Sequence, residues 1–375
     1  MLPVVAQAQF TFTTNNGAIT ITGYTGTNTE VTIPSTTNGF PVTSIGIQAF
    51  HGCSSLTGVT IPNSVASIEN QAFDDCGSLT NVTIPDSVNS IGVQAFLRCY
   101  SLASVTIPNS VTSIGNGAFL SCTSLTSITV DTNNPSYSSV AGVLFNKSQT
   151  VIIAYPSVNG SYTVPNSVTN IGFGAFWGCI CLTNATIPNG VVSIGVSAFS
   201  DCTNLTNVTI GSSVISIGGN AFCRCTSLTS VTIGSSVTNI GSFAFYYCGS
   251  LTGVYFRGNS PTRTNDFSVF LAAPNSTVYY LPGAIGWGST FDGIPVLLWN
   301  PQVQTKDGSF GVKANCFGFN VTGTENIPFV VEACTNLGGP WTPLQTLSLT
   351  SFGLVRFNDP KWTNYPNRFY RIRSP

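Results

Sequence analysis

The chain has 375 residues, of which 42% are hydrophobic and only 7% are charged, and its formal net charge is −1. Binding to a phosphate backbone needs clustered lysine and arginine, so this composition argues against a nucleic-acid-binding protein. No apolar run approaches the roughly 20 residues that a membrane-spanning helix requires, and we expect no membrane span.

The N-terminal residues predict export and a cap. Residues 1–9, MLPVVAQAQ, are similar to the end of a secretory signal peptide, because a short apolar stretch precedes Ala6-Gln7-Ala8, a small-x-small cleavage pattern. We therefore expect a signal peptide remnant at 1–9 and a secreted or cell-surface protein. Residues 10–45 contain two alternating stretches around Asn16-Gly17, which predict a hairpin that acts as an N-terminal cap on the first strand edge of the molecule.

The region 46–300 is repetitive. Eight copies of one pattern open on leucines that are twenty-three residues apart, with one longer gap, and these leucines are Leu56, Leu79, Leu102, Leu125, Leu182, Leu205, Leu228 and Leu251. A period in the twenties is the signature of a solenoid, in which each unit covers its neighbour. The longer gap contains an irregular insertion at about 131–160, which we interpret as an elaborated repeat within a continuous stack.

One copy, LTNVTIPDSVNSIGVQAFLRCYS from Leu79, shows what each unit does. The alternation Val82-Thr83-Ile84 predicts a short strand with one buried face. Gly92 predicts a tight turn, and the apolar residues after it have the spacing of a single helical turn that packs inward. The sequence therefore predicts short parallel strands plus helical turns, with one phenylalanine per copy forming a continuous internal spine.

The pattern LxxVTIPxSVxxIGxxAFxxC resembles the BspA-like class of bacterial leucine-rich repeats over roughly Val31 to Tyr255. The resemblance implies a leucine-rich-repeat solenoid on a secreted or surface-attached protein that binds other proteins and is not an enzyme. The chain departs from the general pattern where serine replaces asparagine or cysteine, at Ser64, Ser87, Ser110 and Ser167. At these sites a hydroxyl would have to replace the usual backbone-bonding side chain.

Residues 301–375 differ in composition, with seven basic and four acidic side chains and short alternating apolar runs. This pattern predicts a small all-β, sandwich-like domain. Just before it, we expect Phe267, Phe270 and Thr277 to Leu281 to form a degenerate closing unit, and Trp287 and Trp299 to shield the last apolar rung. The role of the domain stays open between a spacer, an attachment or sorting signal, and a second binding unit.

Residues that could carry chemistry are few. Eight of the 12 cysteines recur three residues after the spine phenylalanine, and we interpret them as small buried side chains. Cys316 and Cys334 are the best disulfide candidates, and zinc at either Cys-x-Cys pair has weak support. His51 would stack beside Asp74 near Ser54, but the flanking pattern of a catalytic serine is absent. We therefore expect no enzyme, no cofactor and no metal.

Two surfaces could bind a ligand. The positions after each spine phenylalanine differ from copy to copy, and exposed aromatic and arginine side chains are typical of protein interfaces. We therefore expect an extracellular or cell-surface protein partner to contact Leu97, Arg98, Tyr100, Trp177, Tyr246 and Tyr247. The alternative is a glycan- or polymer-binding face formed by the outward positions of the strands, at Asn81, Thr83, Thr106, Thr186, Asn207 and Thr209.

Overall fold

The structure is a computed structural model that describes residues 9–157, 160–262 and 268–374. The expected signal peptide remnant lies outside the described residues, except for Gln9. Strands Phe10–Asn15 and Ala18–Tyr24 pair antiparallel around Asn16 and Gly17, as the turn signal predicts. The second strand then pairs in parallel with Phe40–Ile45 and so begins the stack.

The repeats form a solenoid of about 11 turns, which confirms the predicted fold class. One side of each turn, or rung, contributes a strand to what we call the threonine sheet. Before the insertion these strands are Glu30–Thr32, Gly58–Thr60, Asn81–Thr83, Ser104–Ile107 and Ser127–Val130. After it they are Gly160–Thr163, Leu182–Ile187, Asn207–Ile210, Ser230–Ile233, Gly253–Phe256, Thr277–Tyr280 and Ile294–Leu298, with Thr290–Phe291 antiparallel at the edge.

A second, narrower sheet runs along the solenoid. Its strands are two residues long, and adjacent rungs pair in register, as Ser90 with Ser67 and Ile91 with Ile68. The strands are Ser67–Ile68, Ser90–Ile91, Ser113–Ile114, Asn170–Ile171, Ser193–Ile194, Ser216–Ile217 and Asn239–Ile240. A glycine follows each of these strands except Ser67–Ile68, which Glu69 follows. Close packing requires the glycine, since a Cβ on Gly92 would lie 2.4 Å from the backbone nitrogen of Asn70.

On the third side of each rung, the prediction of helical turns is wrong. The segment after Gly92 consists of consecutive tight turns, in which the N–H of Leu97 donates to the carbonyl of Gln94 and that of Cys99 to Phe96. Left-handed torsions at Gln94 and Arg98 prevent the segment from continuing as a helix. Alternate N–H groups instead donate to backbone carbonyls of the next rung, as the N–H of Phe73 does to the carbonyl of Ala95. Backbone hydrogen bonds therefore also join adjacent rungs on this side.

The phenylalanine spine is buried at the centre of the stack, with neighbouring rings 4.5–5.7 Å apart. It is divided rather than continuous: one run extends from Phe50 to Phe119, and a second begins at Tyr155 and extends to Phe270. The interruption coincides with the insertion. The hydrophobic core is likewise divided into two clusters at this point.

The insertion forms the antiparallel strands Tyr137–Val140, Val143–Asn146 and Val151–Ala154, and the last of these resumes the narrow sheet. Buried Asn134 anchors it, because its amide donates to the carbonyls of Pro108 (2.7 Å) and Val111 (2.9 Å). The N–H of Ser157 donates to the carbonyl of Leu125, which joins the two halves. The stack is therefore continuous in backbone contact, but both sheets are interrupted.

The C-terminal residues form a small antiparallel β domain. One sheet contains Gln302–Gln304, Gly311–Lys313, Cys316–Thr322 and Leu354–Asp359, and the other contains Pro328–Cys334, Thr342–Ser348 and Phe369–Arg373, with a short 3-10 turn at Trp362–Asn364. Its core includes Phe319, Phe329 and Phe357 and extends onto Tyr255 and Tyr279 of the threonine sheet. The domain therefore packs on the outer face of the last solenoid strands.

Trp299 and Trp287 have separate roles at this end. The indole N–H of Trp299 donates to the carbonyl of Pro328 at 3.0 Å, which links the solenoid to the domain. Trp287 packs on Phe256 and Tyr280 and belongs to the end of the solenoid core. Of the expected closing unit, Phe267 lies outside the described residues. The rest is present, since Thr277–Tyr280 pairs in parallel with Gly253–Phe256 and Phe270 stacks on Phe245.

Candidate functional site

The turn side of each rung has a fixed backbone and variable side chains. The second residue after the spine phenylalanine is left-handed in every regular rung, and it is glycine at Gly52 and Gly178. Larger side chains occupy it at Arg98 (φ 57°), Arg224 (φ 59°) and Tyr247 (φ 58°). Left-handed torsions disfavour an L-residue by about 1–2 kcal/mol, so backbone energetics alone favour glycine here. Large side chains kept at such a position are candidates for function.

A groove of about 480 Å³ crosses four rungs on this turn side. Trp177 lies on its first rung, and Phe243 and Tyr246 lie on its last. Strands in register are about 4.8 Å apart, so the groove is about 14 Å long. We call it the turn-side groove. It brings together Trp177 and Tyr246, which the sequence proposed as partner-binding residues, while Tyr247 packs edge-on against Tyr246 at 4.7 Å.

The middle of the turn-side groove is polar. Arg224 Nη1 lies 3.9 Å from Asp201 Oδ1, and the hydroxyl of Ser200 donates to Asp201 Oδ2 at 3.2 Å. Burial, together with the nearby charge of Asp201, raises the pKa of Cys223, so this thiol is protonated at neutral pH and is a poor nucleophile. The groove can offer aromatic contact at both ends and hydrogen bonds between them. Sequence reasoning missed Phe243, although phenylalanine replaces small or amide residues at that repeat position.

The remaining candidates lie in the first half of the solenoid. Arg98 and Tyr100 are exposed, but Leu97 is buried, because the first position after the spine phenylalanine turns toward the core in that rung. Leu97 is therefore removed from the candidate surface.

The stacking of His51 on Asp74 is present, with His51 Nδ1 3.2 Å from Asp74 Oδ2. The other carboxylate oxygen lies 3.9 Å from Arg98 Nη1. Within the described chain no hydrogen bond joins the hydroxyl of Ser54 to His51, so a serine–histidine–aspartate relay is not assembled. His51 and Arg98 instead lie on either side of the nearly buried carboxylate of Asp74.

The alternative ligand face is exposed as expected. Its residues Asn81, Thr83, Thr106, Thr186, Asn207 and Thr209 all face solvent on the threonine sheet. Register aligns Thr186 with Thr209, and Thr209 with Thr232. Thr232 is buried at the point where the C-terminal domain covers the threonine sheet. The exposed ligand face therefore ends at this rung.

All of the repeated cysteines except Cys53 are buried hydrogen-bond donors. Cys99 Sγ lies 3.2 Å from the carbonyl oxygen of Phe73, and Cys202 Sγ lies 3.0 Å from that of Phe176. Burial raises the pKa of Cys122 and of Cys248 to about 12. All 12 cysteines are free, including the disulfide candidates Cys316 and Cys334. Among the described residues no group of three or more histidine, cysteine or acidic side chains could hold a metal ion.

The serines that replace the usual asparagine partly take over its role. The hydroxyls of Ser87 and Ser110 donate to the carbonyls of Val65 (2.6 Å) and Val88 (2.7 Å) in the preceding rung. The hydroxyl of Ser64 is buried without a hydrogen-bond partner in the structure. The substitution therefore preserves the inter-rung bond at two of these sites.

These features are accompanied by a sequence match. The family model described as BspA type Leucine rich repeat region matches residues 23–151 and 155–268, with six copies. The chain belongs to this family. No curated protein gives a significant match to this BspA-type chain.

Three solved structures of bacterial proteins illustrate what the chain is similar to. A leucine rich cell surface protein from Faecalibacterium prausnitzii is 29% identical, with coverage of 72% of this chain and 93% of that chain and a TM-score of 0.42. The pneumococcal vaccine antigen PcpA is 20% identical, with coverage of 73% and 92% and a TM-score of 0.51, which shows a shared fold. A leucine-rich repeat protein from Eubacterium ventriosum is 22% identical, with coverage of 70% and 91% and a TM-score of 0.45.

In the part of the BspA-type chain that the structure describes, no helix has the length and apolar character needed to cross a membrane.

Proposed function

We propose that this BspA-type protein is a secreted or surface-exposed, non-enzymatic recognition protein, and that it binds an extracellular or cell-surface protein through the turn side of its solenoid. The observation that carries the proposal is the presence of Arg98, Arg224 and Tyr247 at left-handed positions where Gly52 and Gly178 occur in other rungs. A solenoid selected only for stability would favour glycine at each of them.

The turn-side groove supports the same proposal. Trp177 and Tyr246 provide the aromatic anchors that dominate many protein interfaces, and Arg224 with Asp201 provides polar contacts between them. The His51–Asp74–Arg98 cluster adds no activated nucleophile. Residues 1–9, by their resemblance to a signal peptide, support export.

The test uses glycine variants, because the fold already accepts glycine at these positions. Tyr247→Gly and Arg224→Gly should leave thermal stability unchanged or slightly raised, and should weaken binding to a protein identified by pull-down of extracellular proteins. Trp177→Ala with Tyr246→Ala should weaken the same complex by about tenfold or more, as expected of interface hot spots. Binding can be measured by surface plasmon resonance.

Control variants lie on a different side of the solenoid. Thr106→Val and Thr209→Val change the threonine sheet and should leave protein binding intact. If these variants abolish binding and the turn-side variants do not, the turn side is not the recognition surface.

The second candidate function is glycan or polymer binding by the threonine sheet. The observation in its favour is the in-register alignment of exposed Asn184 with Asn207 and of exposed Thr186 with Thr209. A glycan array tests it directly, and binding to sugars without any protein partner would replace the first proposal with this one.

A further inference from the structure

The outward positions of the threonine sheet change character near its end. The row that contains Thr209 and Thr232 continues in register as Tyr255, Tyr279 and Leu297. The two tyrosine rings stack 5.0 Å apart and are nearly buried by the C-terminal domain. Docking of the domain therefore accounts for these aromatic replacements.

Arg257 also departs from the repeat at this end of the sheet, but docking of the C-terminal domain does not explain why an arginine is present there. It comes directly after the strand Gly253–Phe256, where the two preceding rungs have Gly211 and Gly234. Arg257 is exposed, and it makes no ion pair or side-chain hydrogen bond with any residue that the structure describes. An arginine that replaces glycine without gaining a partner points to a ligand outside the chain.

The other basic side chains of the described solenoid are partnered. Arg98 lies beside Asp74, and Arg224 lies beside Asp201. The ammonium group of Lys147 donates to two backbone carbonyls of the insertion. In a solenoid with so few cations, Arg257 therefore stands out within the described residues.

Arg257 lines a cavity of about 180 Å³ between the solenoid and the C-terminal domain, which we call the junction pocket. Tyr255, Tyr279 and Trp299 provide aromatic walls, and Arg373 contributes a second guanidinium. Among the described residues, none that lines it is acidic. Glu332 accepts from Arg373 and also from Arg371, each at 2.7 Å, so one carboxylate is shared by two guanidinium groups. The junction pocket is therefore electropositive.

We propose that the junction pocket binds the carboxylate of an acidic sugar at the end of a glycan chain. A guanidinium binds a carboxylate through parallel charge-assisted hydrogen bonds, and the free Arg257 side chain can provide them. Aromatic walls suit the apolar face of a six-membered ring, and a pocket with few convergent polar groups is typical of small-ligand sites. Thr232 belongs both to the threonine row and to the pocket lining, so a chain that lies along the exposed threonine face would end here.

The test compares trigalacturonic acid with its methyl ester, which keeps the sugar rings but removes the negative charges. Isothermal titration calorimetry on the full chain should show binding of the acid, with weakening at high salt, and little binding of the ester. Arg257→Gly restores the residue of the two preceding rungs and should weaken binding by about tenfold or more without lowering thermal stability. The matched control Arg224→Gly removes a different solenoid arginine and should bind as the parent chain does.

Three results would overturn the proposal: equal binding of acid and ester, no binding of the acid, or unchanged binding by Arg257→Gly. Tighter binding of benzoate than of trigalacturonic acid would overturn the assignment to a sugar. The proposal is independent of the protein-partner function, because Trp177→Ala should not affect the acidic sugar and Arg257→Gly should not affect the protein complex.

Discussion

The recurring cysteine has a more specific role at the residue scale than filling a small space. Its thiol donates to the carbonyl of the preceding rung's spine residue, at 3.0–3.2 Å for Cys76, Cys99, Cys122, Cys202, Cys225 and Cys248. The same carbonyls also accept a backbone N–H, as Phe73 does from Cys76, so the thiol is their second donor. Alanine would fill the volume less well and remove this second hydrogen bond.

We predict that Cys99→Ala lowers the free energy of unfolding by about 0.5–1.5 kcal/mol, because the carbonyl of Phe73 loses the thiol and keeps only the backbone N–H of Cys76. Urea denaturation followed by circular dichroism measures the change. Cys53→Ala is the matched control, since Cys53 is partly exposed and makes no such bond within the described chain. Equal effects of the two substitutions would show that the hydrogen bond contributes nothing.

Glu332 gives the C-terminal domain a dependence on pH. Burial acts to raise its pKa, but hydrogen bonds from Arg373 and Arg371 outweigh burial and lower the pKa from its ordinary 4.5. A carboxyl whose pKa is lowered in the folded state stabilises that state above pH 4.5, and this contribution is lost as the pH falls through the folded value. We predict that Glu332→Gln weakens the fall in melting temperature on acidification. A parallel acid-dependent loss in both proteins would contradict this role.

At the scale of the element, each rung depends on the ring that it stacks against its neighbours. Phe96 is fully buried, with ring centroids 5.3 Å from Phe73 and 5.7 Å from Phe119. Because a rung contacts only the adjacent rungs, an internal defect weakens the coupling between the segments on either side.

We predict that Phe96→Ala lowers the free energy of unfolding by about 3–5 kcal/mol, the usual cost of a large cavity. Chemical denaturation measures it, and a broadened or two-step transition would indicate that the two sides of the rung unfold separately. Phe352→Ala is the control, because that side chain is 92% exposed and should change stability by less than about 0.5 kcal/mol. A small loss for Phe96→Ala would mean that the neighbouring rings close the gap.

At the scale of the whole molecule, the C-terminal domain is held to the solenoid by residues that replace threonine. Tyr255 and Tyr279 extend the domain's core onto the threonine sheet, and Trp299 bonds to the domain backbone. The domain therefore covers the end of one candidate ligand face and leaves the turn-side groove open.

We predict that Tyr279→Thr, which restores the residue type of earlier rungs, loosens the domain while the solenoid remains folded. Limited proteolysis should then cleave between the two parts faster than in the parent chain, because lost aromatic packing weakens the interface. Far-ultraviolet circular dichroism should be unchanged. Unchanged proteolysis would show that the remaining contacts are sufficient to hold the domain.

The period of the repeat, its buried positions and its exposed threonine row can be predicted from the sequence alone, because stacking makes identical residues meet identical neighbours. Alternation at Val82-Thr83-Ile84 was enough to predict the strand and its outward face. The same local reasoning failed after Gly92, because apolar spacing does not distinguish a helical turn from tight turns with left-handed residues.

Only the tertiary structure decided which unlike residues meet. The grouping of Trp177 with Phe243 and Tyr246 depends on how four rungs stack. The junction pocket depends on the contact between Tyr279 and the C-terminal domain, and no local sequence pattern predicts that contact. Burial of Leu97 and the division of the spine at Tyr155 are also set by packing. Repetition therefore determined the scaffold from the sequence, whereas the candidate sites arise where repetition fails and long-range packing decides.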